Sequence, residues 1–130
     1  MTGLAAVHYC TGDLAQAAAL FVEGLDRARD RSIALLVASA LIGLAGIAAA
    51  SGQPATGANL LGAAEGILAS LAAPMRPKDQ PVRERGLAAM TAGLGEEQLA
   101  VALAAGRALT VDEAVAQARA VGEAVMQSSP

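Results

Sequence analysis

The side chains with the most reactive chemistry lie together near the start of the chain, as His8, Tyr9 and Cys10. A histidine close to a cysteine could form a pair for nucleophilic catalysis. Successive residues of a helix point about 100° apart, so His8 and Cys10 would not share a face of the helix expected there. A structural thiol and a surface imidazole explain them better, and an enzyme using His8/Cys10 is the weakest functional hypothesis.

No metal, cofactor or catalytic residue is predicted elsewhere in the chain. A zinc site needs about four cysteine, histidine or carboxylate ligands, and the chain has one cysteine and one histidine. The segment Gly93-Leu94-Gly95 precedes two glutamates but lacks the Gly-Lys-Ser/Thr of a phosphate-binding loop. It indicates a glycine helix stop, followed by a helix with carboxylates in its first turn.

Composition predicts one helical domain, 1–130, that does not bind nucleic acid. The 130 residues include nine basic and twelve acidic side chains, for a net charge of −3, and only one Tyr and one Phe. Nucleic acid binding needs clustered positive charge or stacked aromatics. Cys10 is the sole cysteine, which fits a reduced, cytoplasmic setting.

The chain partly repeats itself after forty residues. Residues 2–25 align without a gap with residues 42–65 and are identical at seven of twenty-four positions. In both copies a small residue and a glycine separate two apolar runs; in the first copy they are Thr11-Gly12. This arrangement is typical of helical-hairpin repeats. We therefore predict an all-α fold of about six helices, built from tetratricopeptide-like hairpins and forming a short right-handed superhelix.

The periodicity also predicts where the helices lie. We expect two hairpin-type repeats over 1–71, a proline-rich linker over 72–81 and C-terminal helices over 82–126. Thr110 and Glu113 match a capping box at the start of the last helix. The predicted helices are Leu14–Arg29, Arg31–Ala50, Ala55–Leu71, Val82–Leu94, Glu96–Ala108 and a last helix with the apolar stripe Ala114, Ala118, Val121 and Val125.

The start of the chain resembles the tail of a helix, so that the chain begins inside a repeat. The apolar sides of Leu4, Val7 and Leu14 would then lack the preceding helix that normally covers them. Repeat arrays usually need a polar cap at such an end. We predict an N-terminal packing edge that is covered by self-association or by an upstream domain.

The uncharged segment 33–50 could instead be a membrane anchor, because it holds eighteen consecutive residues without a charge. Ala, Gly and Ser make up ten of the eighteen, and they contribute little to insertion while favouring close helix contacts. Its repeat counterpart contains His8, Tyr9 and Cys10. We therefore favour a buried helix in a soluble protein over a small membrane-associated helical protein.

A binding surface is predicted from equivalent positions in the two copies of the repeat. Gln16 and Glu23 in the first copy correspond to Thr56 and Ala63 in the second, where Asn59 also lies nearby. If the two helices were neighbours, Gln16, Glu23, Thr56 and Asn59 would form a partly polar ridge that could line the groove of a helical repeat. A simple solvent-facing role for each of them is the alternative.

Four segments of the chain carry a resemblance to a known family: Thr11–Ala18, Gly57–Glu65, Leu94–Glu97 and Gly106–Val115. Together they resemble the C-terminal tetratricopeptide-like arm of large bacterial ATP-binding regulators of the LuxR and AfsR types. The resemblance covers nearly the whole chain, and its most specific part is the last run. It covers the arm alone, not the family's ATPase or DNA-binding domain.

The resemblance implies a superhelical scaffold that binds a protein or peptide, or that restrains a linked ATPase or regulator domain. It brings no catalytic residue, so the chain is predicted not to be an enzyme. Within the family's closing segment, Leu99 and Leu103 stand where aromatic residues are common. The partner and the pathway are not identified by the sequence.

Overall fold

The computed structural model describes residues 14–128, and all regular structure within that range is helical. Six α-helices follow one another along the described chain, which confirms the predicted all-α class and helix number. They are α1 (Leu14–Asp30), α2 (Ala34–Ala50), α3 (Pro54–Ser70), α4 (Gln80–Leu94), α5 (Glu96–Arg107) and α6 (Val111–Ser128), with a short 3₁₀ helix at Pro77–Asp79.

The first three helices share one design. Each has 17 residues, and they begin twenty residues apart, at positions 14, 34 and 54. A turn with one left-handed residue follows each helix: Ser32 (φ 54°), Gly52 (φ 89°) or Ala72 (φ 51°). The forty-residue repeat therefore corresponds to two helix–turn units, and α1 and α3 occupy equivalent positions in it.

These turns are closed by backbone hydrogen bonds of the Schellman type. The residue after the left-handed position donates to a carbonyl five residues back: Ile33 N–H to Ala28 at 2.9 Å, and Ala73 N–H to Leu68 at 3.0 Å. A left-handed residue cannot continue a right-handed helix. This explains why α2 begins at Ala34, three residues later than the predicted Arg31.

Helix α2 lies at the centre of the fold. Residues 37–49 are buried in an unbroken run, and the helix packs against α1, α3, α4 and α6. The apolar composition of residues 37–49, which make up most of the uncharged segment 33–50, is therefore explained by burial among the other helices. Within residues 14–128, no helix combines the length and the apolarity needed to cross a membrane.

Glycines allow the helices to approach one another closely where α3 crosses α5. A side chain on Gly62 would overlap the backbone carbonyl of Leu103, and one on Gly106 would overlap the carbonyl of Asn59. In the core, the ring of Phe21 fills the space where Gly43 lacks a side chain. Small residues thus allow a chain with few aromatics to build a close-packed core.

The first and last described helices also pack together. Helix α1 packs against α6, and two ion pairs join them: Arg119 to Asp26 at 2.5 Å, and Arg29 to Asp112. In repeat arrays, each unit contacts only its neighbours. The contacts between α1 and α6 therefore do not establish the right-handed superhelix, which stays a prediction.

The proline-rich segment packs on the bundle through a buried polar contact. The hydroxyl of Ser39 on α2 donates to Asp79 Oδ1 at 3.0 Å, and both residues are buried. A buried carboxylate is costly without a hydrogen-bond donor. Asp79 therefore depends on Ser39, and the pair ties the segment before α4 to the central helix.

Candidate functional site

Two of the four predicted ridge residues line one groove. Thr56 and Asn59 lie on consecutive turns at the start of α3, half-buried, and they face α6 across an open groove of about 340 Å³. Pro54 is the first residue of α3. Proline suits this position because the N–H groups of the first turn have no partner within the helix. The groove, called the α3–α6 groove below, is lined by Gln53, Thr56, Asn59, Gln117, Ala120, Val121 and Ala124.

The α6 wall of the groove follows from the amphipathic pattern of that helix. Ala118, Val121 and Val125 are buried against the bundle, as the predicted stripe requires. Gln117, Ala120 and Ala124 lie beside that stripe at i, i+3 and i+7, the spacing of one helix face. Of these three, Gln117 is half-buried and the two alanines are exposed.

The α3–α6 groove offers uncharged hydrogen-bonding groups. It contains three carboxamides, from Gln53, Asn59 and Gln117, together with the Thr56 hydroxyl. Each of these side chains can both donate and accept. Within residues 14–128, none of the four makes a side-chain hydrogen bond to another protein group. Their bonding capacity is therefore left for water or for a ligand.

The other two predicted ridge residues lie apart from this groove. Gln16 is exposed on α1, and Glu23 is half-buried and bonds to Arg27 in an i,i+4 ion pair of 2.7 Å. The main contacts of α1 are with α2 and α6, not with α3. The repeat-equivalent helices α1 and α3 are therefore not packed side by side as the ridge supposes.

A second cavity, of about 430 Å³, is a weaker candidate, although its volume suits a small ligand. It lies between α3 and the start of α4, where its most buried carboxylate, Glu65, already has partners. Glu65 accepts from Arg83 at 3.0 Å and from Arg107 at 3.3 Å. This network joins α3, α4 and α5, so its charges serve the fold.

Several predicted residues lie outside the part of the chain that the structure describes. These are Leu4 and Val7 of the packing edge and the reactive candidates His8 and Cys10, while Leu14 is the first residue of α1. Among residues 14–128, no group of three or more His, Cys, Asp or Glu side chains is arranged to hold a metal ion.

Of the seven residues that line the α3–α6 groove, the sequence predicted only Thr56 and Asn59 as site residues. Gln53 precedes α3 in the turn, and Gln117, Ala120 and Ala124 belong to a helix that starts more than fifty residues later. The neutral face of α6 is visible in the sequence as a stripe beside the apolar one. Its position opposite Thr56 and Asn59 depends on packing between distant segments, which the repeat does not encode.

No protein-family model, curated protein or solved structure matches this chain. The resemblance to the arm of bacterial regulators therefore stays a prediction.

Proposed function

We propose that this protein is a helical interaction module that binds a protein or peptide partner in the α3–α6 groove. One observation carries the proposal: four neutral polar side chains converge on a groove with an apolar floor and have no internal hydrogen-bond partners among the described residues. Groups of this kind orient ligands and provide specificity in binding sites.

The proposal is one of binding and not of turnover. It is comparable to the role of the tetratricopeptide-like arms of bacterial ATP-binding regulators, with a partner that is either a linked regulator domain or a separate protein, in a cytoplasmic setting. The equal lengths and regular spacing of α1, α2 and α3 support a repeat origin, and a short superhelix is part of the proposal. The residues proposed to contact the partner are Thr56 and Asn59, with Gln53 and Gln117.

Site-specific photo-crosslinking in the native cell tests the proposal. A photoreactive residue replaces Ala120 or Ala124, which are exposed in the groove, and Ala100 on α5, which is exposed elsewhere, is the control. We expect one defined protein to crosslink from both groove positions but not from position 100.

A direct binding titration with the purified partner then follows. The double variant Asn59→Ala, Gln117→Ala should weaken binding by about tenfold or more, since two hydrogen bonds at about 1 kcal/mol each are removed. Gln98→Ala, an exposed carboxamide on α5, is the matched control. Crosslinking that is equal at all three positions, or a double variant of unchanged affinity, would contradict the proposal.

A further inference from the structure

We infer that the α3–α6 groove binds an extended, uncharged peptide segment with small side chains and holds it through its backbone amides. This inference depends on the proposed function and specifies the chemistry of the partner. It comes from the kinds of side chain that line the groove, from their spacing and from the absence of charge among them.

The hydrogen-bonding groups of the groove match a peptide backbone. Each peptide unit of an extended segment has an N–H donor and a C=O acceptor that need partners. A carboxamide offers both kinds of group in one plane, and the groove has three of them, Gln53, Asn59 and Gln117. A helical partner bonds its backbone N–H and C=O groups within its own helix. Only its side chains could then bond to the carboxamides of the groove.

The groove also selects against charge. Every lining residue is uncharged, so a buried charged side chain of the partner would lose hydration without meeting an opposite charge. Arg119, next to this wall of α6, bonds to Asp26 of α1 at 2.5 Å. The guanidinium of Arg119 therefore lies on the side of α6 that faces α1, where it is bonded to a carboxylate.

The dimensions of the groove set the length of the segment. Gln53 and Asn59 are six residues apart, which corresponds to about 9 Å at a helical rise of ~1.5 Å per residue. An extended chain covers that length in about three residues at ~3.3 Å each. Beyond Gln117, the exposed side chains of Ala120 and Ala124 present only methyl groups on the α6 side of the groove, so an extended backbone with small side chains such as Ala, Ser or Gly can lie close to α6.

The test uses short synthetic peptides with acetylated and amidated ends. The first probe has alternating alanine and serine, and the second has the same side chains but N-methylated central amides, which removes the backbone donors. The third has a central glutamate, and the fourth is an alanine-rich helix held by a covalent staple. Binding is followed by NMR, from the backbone amides of α3 and α6 and the side-chain amides of Gln53, Asn59 and Gln117.

We expect the neutral, unmethylated peptide to shift these resonances. The methylated and helical probes should bind about tenfold more weakly because they lose one or two backbone hydrogen bonds to the groove. The glutamate probe should bind about tenfold more weakly because its carboxylate loses hydration without meeting an opposite charge. Asn59→Ala with Gln117→Ala should abolish the shifts, and Gln98→Ala should not. Equal or tighter binding of the charged, methylated or helical probe overturns the inference but leaves the proposed function standing.

If none of the probes shifts the groove resonances, the inference is also overturned. The crosslinking experiment then decides separately whether the groove binds a protein at all. Failure of the inference and failure of the proposed function therefore give different results.

Discussion

The glycine at position 106 shows how a single residue sets the distance between two helices. Its Cα lies against the backbone of α3, where a Cβ would overlap the carbonyl oxygen and carbonyl carbon of Asn59. Backbone atoms inside a helix cannot turn away as a flexible side chain can. Any larger residue at this position must move α5 away from α3, and it disturbs the groove residue Asn59 as well.

Gly106→Ala should therefore destabilise the protein by roughly 1–3 kcal/mol, as overpacking of a core does. Gly66→Ala is the matched control, because a Cβ there meets its nearest neighbour at an ordinary 3.8 Å. It should be neutral, or stabilising by up to about 1 kcal/mol through helix propensity. Urea unfolding measures both variants, and equal stabilities would contradict the close approach of α3 and α5.

Ala72 has an unfavourable backbone conformation, and a substitution can remove its energetic cost. It adopts φ 51° in the turn after α3, a left-handed conformation that is unfavourable for residues with a Cβ. In the equivalent turn after α2, Gly52 has this role without the penalty. We predict that Ala72→Gly stabilises the protein by about 1 kcal/mol.

Thermal and urea unfolding test this prediction, with Ala69→Gly as the control. Ala69 is exposed within α3, so glycine there should cost about 1 kcal/mol. A loss of stability in Ala72→Gly comparable to that in the control would show that the turn is not left-handed.

At the scale of the element, α6 carries the clearest local signal. The capping box predicted from the sequence is confirmed: the Thr110 N–H donates to Glu113 Oε1 at 2.9 Å, and the Glu113 N–H donates to Thr110 Oγ1 at 3.1 Å. Two hydrogen bonds with Thr110 lower the pKa of Glu113 below its ordinary value of 4.5. The bond to the Thr110 backbone has the larger effect and the bond to its side chain the smaller one. The charged carboxylate is thus the form that the helix end stabilises.

The sign of the pH dependence follows from this lowered pKa. The unfolded chain binds the Glu113 proton more readily than the folded chain does, so the stabilisation is present above pH 4.5 and is lost as pH falls through the lowered folded pKa. Glu113→Gln should destabilise the protein near neutral pH, and its difference from wild type should shrink in acid. Glutamine can still accept the Thr110 N–H bond, so the variant isolates the charge.

Urea unfolding across the acidic range measures this difference. Glu123→Gln, on an exposed position of α6 beyond its first turn, is the control and should show a smaller change. A Glu113→Gln difference that stays constant through the titration would exclude a contribution from the carboxylate charge.

At the scale of the whole molecule, the first and last described helices share one core. Helix α6 packs on α1, α2 and α3, and a Cβ on Gly122 would overlap the Val22 side chain of α1. Gly122→Ala should therefore loosen α1 and α6 together, at a cost of roughly 1–3 kcal/mol.

Amide hydrogen exchange distinguishes this arrangement from an open repeat array. We expect protection to fall in both α1 and α6 of the Gly122→Ala variant. In an open array, the effect would instead be confined to α6 and its sequence neighbour α5. Unchanged protection in α1 would show that the contact between α1 and α6 contributes little in solution.

Local patterns were sufficient to predict most helices. The predicted stripe Ala114, Ala118, Val121 and Val125 of α6 is buried, and the predicted start of α5 at Glu96 agrees with the structure. These features depend on apolar spacing and on glycine stops, which act between residues close in sequence. The start of α2 was predicted too early because Ser32 carries the left-handed turn that glycine has at position 52.

The sequence by itself determined the helices, their forty-residue recurrence and the cap of α6, because each of these is encoded by neighbouring residues. Only the tertiary structure decided that α2 is central, that α1 meets α6 and that Thr56 and Asn59 face Gln117 across a groove. Those arrangements depend on glycine contacts between distant helices, such as the contact of Gly106 on α5 with the backbone of Asn59 on α3. The packing of the whole chain decides which small residue contacts which backbone segment. No local sequence pattern predicts these contacts.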